Sequence, residues 1–505
     1  MSEKEKKHAE GLPKAPPEIV IVETKTKFDW KRVFFLSLGL VLFFWIFYMP
    51  SWPDAVDPVG KHFPLSKEGK GAIALFLLAG TWWVFEVVPI GVTSLAIGVF
   101  QSLFAIRSAK DAFRDFMDPS VMFIFGSVVI GLAFTKSGLT KRIAYKMLHV
   151  AGERTSMILL GCFVVTAALT HLMAHTAVAA TVFPILLAVY SLYGEGEKQT
   201  KFGKALFIGM AYVAGAGSII TYLGAARGAA AAGMFKEFTG RDVSFFELSK
   251  YMFIIGWSMV FIIWGYLMVF LKPEKKVIPG LRERVKSLSQ DLGPWTKSEK
   301  LVIFFVVAVI TVMSLKSFIP ALKPIDRASI VLVSTLLFFI FKVLTVKELE
   351  DIPWNIILLF SGAMSIGFCL WKTGAAEWMA VEWLVLFQQA HWLVFLLSVA
   401  TFVLILTNFI MNVAAIAISL PVSLVIAKYL GVAPEPIFFA SLVTAGMPFM
   451  LLIGAAPNAI AYESKQFSTG EFFIHGIPMS IILIAFLGLA LTIIWPMLGM
   501  PITLK

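Results

Sequence analysis

Charged residues are scarce in this chain of 505 residues, where they make up only 15% of the composition. A soluble protein carries about 25%. Hydrophobic residues account for 58%, and the mean hydropathy is +0.84. Many segments exceed about 18 apolar residues, the length at which a helix spans a bilayer. The composition therefore excludes a soluble enzyme and predicts an all-α polytopic membrane protein.

Cysteine is almost absent, since only Cys162 and Cys369 occur and both lie in apolar segments. No disulfide framework is therefore predicted. Acidic residues are fewer than basic ones, and 32 Asp and Glu against 43 Lys and Arg leave a net charge of +11. Because the basic excess lies in tails and loops, it reports membrane orientation, and no nucleic-acid partner is expected.

The positions of the basic residues orient the chain in the bilayer. The tail 1–29 and the loop 272–299 are rich in Lys and Arg, whereas 373–390 has neither and contains two Glu. Basic loops remain on the cytoplasmic side of membranes. We therefore expect a multi-pass protein of the cell membrane with a cytoplasmic N-terminus and with 373–390 outside.

The hydrophobic pattern divides the chain into two halves of similar size, 71–271 and 300–499. The remaining predicted segments are the cytoplasmic tail 1–29, a first spanning helix with an external loop over 30–70, the cytoplasmic loop 272–299 and the C-terminal tail 500–505. Each half contains one apolar block of 38 residues, and these blocks are 156–193 and 391–428. Each half also contains a block interrupted by Gly or Pro, and these are 203–234 and 435–461.

Each 38-residue block fits either two complete spans or a re-entrant hairpin whose tip stays in the membrane. Two complete spans need about 40 residues before any turn, so the hairpin is favoured. Backbone at such a tip must line a cavity or be buried in protein. The interrupted blocks are interpreted as broken helices, whose free carbonyls bind cations and whose N-termini attract anions. Simple kinking, or close packing of small residues, is the alternative for these blocks.

Three motifs recur in the same order in both halves, and the copies are 230 to 237 residues apart. The paired segments are 131–138 with 367–374, 170–184 with 407–421, and 224–229 with 454–459. The first motif ends on the predicted cytoplasmic side, and its copy ends on the predicted external side. We therefore predict two inverted-topology repeats, which are typical of secondary transporters.

Arg227 is the strongest single candidate for binding chemistry, because it lies between Ala226 and Gly228 inside the first broken helix. A charge within the membrane costs at least about 2.5–3.5 kcal/mol. An anionic substrate is its predicted partner, and a structural ion pair or snorkelling to the interface is the alternative. His171 and His175 have a spacing that suits zinc on a helix, but no third ligand accompanies them, which disfavours a metalloenzyme.

These motifs resemble those of the divalent-anion/sodium symporter family, whose members carry dicarboxylates, citrate or sulfate. The resemblance covers most of 71–499. In that family each hairpin tip carries Ser-Asn-Thr, and each broken helix carries a Gly/Ala-Ser/Thr-Pro-Pro-Asn-like turn. Sodium is held by the tip, by a hydroxyl residue four positions before it and by the first carbonyl of the turn. The substrate lies between the tips, and the resemblance also implies a homodimer.

Transferred residue by residue, the resemblance implies two sets of positions in this chain. The implied sodium ligands are Thr170, Ala174, His175, Gly224, Thr407, Ile410, Asn412 and Gly454. The implied substrate positions are His175, Thr176, Ala225, Arg227, Asn412, Val413 and Ala455. The chain departs from the family pattern at Ala174, His175, Met411 and Val413 of the tips, at the turn positions Ala225 and Ala455, and at Arg227-Gly228. Sodium coupling is accordingly expected at the second site, which keeps Thr407 and Asn412.

The leading hypothesis is a secondary active transporter of a small divalent anion, such as a dicarboxylate or a sulfate-like oxyanion. It is predicted to be coupled to sodium, to need no other cofactor and to move its hairpin domain against a fixed scaffold. The alternative is a proton-coupled or exchange mechanism, in which Arg227 and His175 supply positive charge in place of the first sodium. An intramembrane hydrolase is a remote alternative, because no nucleophile and base have a catalytic spacing.

Overall fold

The computed structural model describes residues 29–504, except 58–59, 86, 197, 385–389 and 410. The described part of the chain is predominantly helical. The helices before the basic loop are α1 (Trp30–Tyr48), α2 (Lys67–Val84), α3 (Ile90–Leu103), α4 (Ala109–Arg114), α5 (Pro119–Ser137), α6 (Leu139–Ala151), α7 (Thr155–Leu169), α8 (His175–Ser191), α9 (Lys201–Ser218), α10 (Ala226–Thr239) and α11 (Phe245–Phe270). Strands β1 (Ala55–Val56) and β2 (His62–Phe63) pair antiparallel after α1.

The later helices begin inside the basic loop. They are α12 (Leu281–Asp291), α13 (Lys297–Leu315), α14 (Arg327–Ile340), α15 (Val346–Glu350), α16 (Trp354–Lys372), α17 (Ala375–Leu384), α18 (Trp392–Phe409), α19 (Asn412–Tyr429), α20 (Pro434–Ala445), α21 (Ala456–Tyr462), α22 (Thr469–Leu489) and α23 (Trp495–Met497). Short 3₁₀ turns occur at Asp115–Met117, Pro320–Leu322 and Leu452–Gly454, and a π-helical segment, Ala490–Ile494, joins α22 to α23.

Eight helical segments of the described chain are long and apolar enough to cross a membrane. They are Trp30–Tyr48, Ala109–Ser137, Phe245–Phe270, Lys297–Leu315, Trp354–Lys372, Trp392–Phe409, Asn412–Tyr429 and Thr469–Met497. The predicted α-helical multi-pass membrane protein is thereby confirmed. The inverted relation of the two halves, the domain boundaries and the cytoplasmic N-terminus stay predictions.

The two 38-residue blocks each fold into two helices joined within the apolar run. In the first block, α7 ends at Leu169 and α8 begins at His175. In the second block, α18 ends at Phe409 and α19 begins at Asn412, with residue 410 outside the described residues. The interrupted blocks likewise contain two α-helices each, separated by backbone that is not α-helical over 219–225 and 446–455. Equivalent elements thus occupy equivalent places in the two halves of the sequence.

Local sequence signals explain where several of these helices begin and end. Thr200 caps α9, since its hydroxyl accepts a hydrogen bond from the amide of Gly203 at 2.9 Å. The helix α10 continues to Thr239, beyond the predicted end at residue 234, and stops at Gly240, whose φ is +70°. Glycine adopts this left-handed conformation without the steric cost that a side chain would add.

The core of the molecule is built on the broken helices. The helix α9 packs on α7, α8, α11 and α21, while α10 packs on α5, α16, α19 and α20. Gly215 of α9 lies against the carbonyl of Gly446, and a Cβ at Gly215 would approach that oxygen to 2.7 Å. The first broken helix therefore crosses the end of the second one at close range, which only small residues permit.

Candidate anion and sodium site

Four helices, α8, α10, α19 and α21, begin at one cavity of about 250 Å³. The residues that precede them, namely Ala174, Ala225, Met411 and Ala455, line the cavity. None of these four residues caps its helix with a side chain, whereas Asp118 caps α5. The first amides of a helix lack partners within the helix, and its N-terminus carries partial positive charge. Their convergence makes the cavity favourable for an anion.

The opposite wall of the cavity comes from the helices α5 and α16. Its apolar side chains are Val128, Leu132, Ile356 and Phe360. Five polar or charged side chains complete the lining, and they are Thr135, His175, Thr176, Arg227 and Asn412. None of the described lining residues is acidic. The cavity therefore combines an electropositive rim of helix ends with a largely apolar wall.

In the second half, a compact group of oxygen atoms lies beside the cavity. The Thr407 hydroxyl lies 2.8 Å from Asn412 Oδ1 and 3.2 Å from the carbonyl oxygen of Ala445. Thr407 is completely buried, and Asn412 is 8% exposed. Gly454 is also close, because a Cβ at this residue would lie 3.0 Å from the Thr407 carbonyl oxygen. Neutral oxygens of this kind are the ligands that hard cations prefer.

The predicted ligands of the second sodium site are thus largely placed together. Thr407, Asn412 and Gly454 are neighbours, and Ala445, which sequence reasoning missed, adds its carbonyl oxygen. The predicted ligand Ile410 lies outside the described residues. Ala445 ends α20, and the last carbonyls of a helix have no intrahelical partner, so the free helix end was the available signal.

Asn408 is a second residue that sequence reasoning missed. Its side-chain oxygen accepts hydrogen bonds from the amides of Met450 at 2.9 Å and Leu451 at 3.1 Å. Asn458 donates to the carbonyls of Pro448 and Leu451 at 2.9 and 3.1 Å. The two amides hold the irregular backbone between α20 and α21 in place. A buried amide in an apolar run was the available signal, because buried polar groups require partners.

The first half has a different arrangement at the matching positions. The backbone amide of His175 donates to the carbonyl of Gly224 at 2.9 Å, and its Nδ1 lies 3.3 Å from the same oxygen. Because a carbonyl only accepts, Nδ1 carries the proton in this contact. The Thr170 hydroxyl donates to Ala167 at 2.6 Å, and Ala174 has no side-chain oxygen. The Gly224 carbonyl, which was predicted as a sodium ligand, therefore already accepts hydrogen bonds from His175.

Arg227 is 2% exposed and directs its guanidinium to the end of α9. Its Nη2 lies 2.5 Å from the hydroxyl oxygen of Ser218, which itself donates to Gly215 at 2.7 Å. Gly446 is adjacent, since a Cβ there would lie 2.9 Å from Nη2. Arg227 forms no ion pair within the described chain, and its Nη1 has no hydrogen-bond partner there. The guanidinium thus lies at the negative C-terminal ends of α9 and α20.

The structure brings all seven predicted substrate positions to the cavity. His175, Thr176, Ala225, Arg227, Asn412, Val413 and Ala455 line it. Of the predicted sodium ligands, Thr170 and Thr407 lie behind this lining, at the ends of α7 and α18. His171 points elsewhere, with Nδ1 3.1 Å from the Gly217 carbonyl and its ring edge-to-face with Trp257. The roles of these residues in binding stay predictions.

A cavity between paired helical hairpins and broken helices, inside a multi-pass α-helical protein, defines the class of membrane transporters. The chain belongs to the family described as the sodium:sulfate symporter transmembrane region, whose model matches residues 31–501. This family consists of transporters and not enzymes, and the match confirms the predicted family. Sodium as the coupling ion fits the description of the family.

Several known proteins are similar to this chain. The sodium-dependent dicarboxylate transporter SdcS of Staphylococcus saprophyticus is 25% identical over 465 residues, which is 87% of this chain and 89% of that protein. SdcS of Staphylococcus aureus strain NCTC 8325 is 25% identical over 447 residues, or 83% and 85% of the two chains. The crystal structure of the YdaH transporter of Alcanivorax borkumensis has the same fold, with a TM-score of 0.54, 12% identity and coverage of 93% and 98%.

Proposed function

We propose that this protein is a secondary active transporter that carries a small anion across the cell membrane together with sodium. One observation carries the proposal, namely that four uncapped helix N-termini meet at a cavity beside a buried group of neutral oxygens. The helix ends favour an anion, and the oxygens favour a hard cation. The relatives, which are named as sodium-dependent dicarboxylate transporters, support the same combination.

Sodium binds in the second half, between Thr407, Asn412 and the carbonyls of Ala445 and Gly454. These ligands carry no formal charge, so the bound ion retains its positive charge and attracts the anion in the adjacent cavity. Bound sodium therefore increases the affinity of the protein for the anion, and the bound anion increases its affinity for sodium. This mutual increase couples their transport. In the first half, His175 occupies the Gly224 carbonyl, which favours fewer sodium ions per substrate than two intact halves would bind.

Transport proceeds by alternating access. The hairpins α7–α8 and α18–α19 and the broken helices form the moving domain, and the scaffold includes α5 and α16. This division is supported by the position of the cavity, because the hairpin tips line one side and the apolar wall of α5 and α16 lines the other. The family resemblance favours two inverted repeats, a cytoplasmic N-terminus and a homodimer.

A proton-coupled or exchange mechanism is the second candidate function. Two features of the first half favour it. Arg227 is a buried cation without an acidic partner within the described chain, and His175 replaces an oxygen ligand of the family pattern. Together they supply positive charge that a second sodium ion would otherwise contribute. In this mechanism, protonation of His175 or a counter-anion replaces the sodium gradient.

Uptake into proteoliposomes decides between these mechanisms. Labelled anions are presented with an inward sodium gradient, with an inward proton gradient, or with internal unlabelled anion and no gradient. Accumulation that requires the sodium gradient supports the proposed symport. Accumulation driven by the proton gradient alone, or by internal anion alone, supports the second candidate. Absence of uptake in all three conditions across the panel would contradict transport of a small anion.

A further inference from the structure

We infer that the transported anion has a single carboxylate head and an apolar body, as in a short-chain, branched or aromatic monocarboxylate. This inference rests on the proposed function, because it names the substrate class of the same cavity. It departs from the expectation of a divalent anion that the family resemblance raised.

The side chains around the cavity are asymmetric between the two halves. At the second tip, Met411 and Val413 flank Asn412, and Val413 is 4% exposed. The opposite wall continues this apolar surface and consists of Val128, Leu132, Ile356 and Phe360. The turn positions Ala225 and Ala455 present methyl groups. An apolar body thus finds side-chain contacts on the second tip and on the scaffold.

The polar side chains of the lining are not equally available to a ligand. Asn412 Oδ1 accepts from Thr407, which leaves the Nδ2 amino group as the side-chain donor of the second tip, and the Thr135 hydroxyl donates to the Gly131 carbonyl at 3.0 Å. The remaining polar or charged members, His175, Thr176 and Arg227, all belong to the first half. The first half therefore supplies most of the side-chain donors of the cavity, including its one cation among the described lining residues.

The carboxylate head belongs at this first-half end. The helices α8 and α10 begin there, and both contain more than two turns. Arg227 is the only charged side chain among the described lining residues, and its Nη1 is buried without a hydrogen-bond partner there. A buried cation that no acidic residue neutralises stabilises an anion nearby, because the low dielectric weakens screening.

A second carboxylate would lie against the apolar side of the cavity. Contact with Met411, Val413 or Phe360 would remove its water, and the Asn412 amino group is the only side-chain donor that the described second tip offers in return, which is unfavourable for a charged group. A methyl, branched alkyl or phenyl group at the same place would instead bind favourably, because burial of its apolar surface releases it from water. The volume of about 250 Å³ lies just below the range of about 300–1,000 Å³ for drug-sized ligands, which favours a small acid.

Matched acids test this inference on the wild-type protein. Pentanoate and glutarate have equal chain length and differ by one carboxylate, and benzoate and sulfate extend the comparison. Sodium-driven uptake of labelled pentanoate and of labelled glutarate into proteoliposomes is measured, and each of the four unlabelled compounds competes with the labelled acid. Pentanoate and benzoate are expected to inhibit at concentrations at least tenfold below those of glutarate and sulfate. Equal or tighter inhibition by glutarate or sulfate would overturn the inference.

Two variants refine the test and separate the possible failures. The double variant Met411→Ser, Val413→Thr adds hydroxyl groups to the apolar second tip. It should move the preference between pentanoate and glutarate at least tenfold toward glutarate. The control Val333→Thr, on the exposed side of α14, should leave the preference unchanged. An unchanged preference in a folded double variant would contradict the inference that Met411 and Val413 select an apolar body. If the double variant does not fold, the wild-type ranking still decides. Sodium-driven uptake that prefers glutarate refutes this inference only, whereas no sodium-driven uptake of any tested anion refutes the proposed function.

Discussion

The Thr407 hydroxyl lies 2.8 Å from Asn412 Oδ1, and this contact has no equivalent at the matching positions of the first half. There, Thr170 donates to Ala167, and His175 occupies the carbonyl of Gly224. The two halves therefore share their backbone plan but differ in chemistry. The second half brings neutral oxygen atoms of Thr407, Asn412 and Ala445 together, whereas in the first half Thr170 and His175 donate to backbone carbonyls.

Combined substitution of Thr407→Ala and Asn412→Ala should raise the sodium concentration needed for half-maximal transport by on the order of tenfold or more. Each substitution removes one oxygen ligand, and a bond to a charged group contributes about 1.5–3 kcal/mol. Sodium titration of uptake measures the change. The matched control is Thr170→Ala in the first half, which should leave the sodium dependence unchanged. Wild-type transport at a rate independent of the sodium concentration would contradict the proposed sodium site.

Arg227→Ala should raise the apparent KM for the substrate by about tenfold or more, which corresponds to about 1.4 kcal/mol. The variant removes a buried positive charge whose field favours the anion. Arg227→Lys keeps the charge but loses the hydrogen bond from Nη2 to the Ser218 hydroxyl, so an intermediate effect is expected. Uptake kinetics measure both variants. Unchanged apparent affinity in a folded Arg227→Ala protein would show that the arginine is only structural.

His175→Asn should make transport more dependent on sodium. Asparagine supplies an oxygen ligand at the first tip, whereas histidine supplies nitrogen, which suits sodium poorly. Uptake measured over a range of sodium concentrations reveals the change. The comparison with His391→Asn, outside the cavity lining, controls for general effects of removing an imidazole. Identical sodium dependence of uptake in His175→Asn and wild type would contradict the prediction.

Cysteines at Ala174 and Met411 should react with small thiol reagents, because both residues line the cavity. Native Cys162 and Cys369 are buried, which keeps the background reaction low. We predict that the two hairpins enter the membrane from opposite sides, so each cysteine should react faster in a different conformation. Reaction of both with an impermeant reagent from one side in every state would instead indicate ordinary external loops.

Glu348 should contribute to stability at neutral pH and lose this contribution in acid. Its carboxylate lies 2.5 Å from Lys136 Nζ and accepts from the Thr345 amide at 2.8 Å. These contacts, with the bond from Lys136 the most important, lower the pKa of Glu348 to about 2. An unfolded glutamate has a pKa of about 4.3, so the contribution is complete above that pH and disappears as the pH falls toward 2.

Melting temperatures of Glu348→Gln and wild type measure this effect. The variant should melt at a lower temperature at pH 7, and the difference should narrow on acidification from about pH 4. Glu350→Gln on the same helix is the control, since Glu350 forms no ion pair within the described chain. A difference that stays constant with pH would mean that the ion pair is not its source.

Much of the architecture was predictable because its signals are local. The length of the apolar runs predicts a multi-pass membrane protein, and the 38-residue blocks predict paired helices at 156–193 and 391–428. Gly and Pro in the interrupted blocks predict the breaks that separate α9 from α10 and α20 from α21. Each of these signals depends on the chain within one or two spans, so no long-range contact is needed to interpret it.

The fold class, the family and the seven predicted substrate positions could be inferred from the chain alone, because hydrophobic length and motif order are properties of the sequence. The wall of α5 and α16, and the contacts that each lining residue makes, depend on the tertiary structure. Ser218 and Gly446 meet Arg227 because α9 crosses the end of α20, and Ala445 meets Thr407 because α20 ends beside the second hairpin. Such contacts join helices distant in the sequence, and their geometry depends on close packing of the whole core, which no local pattern encodes.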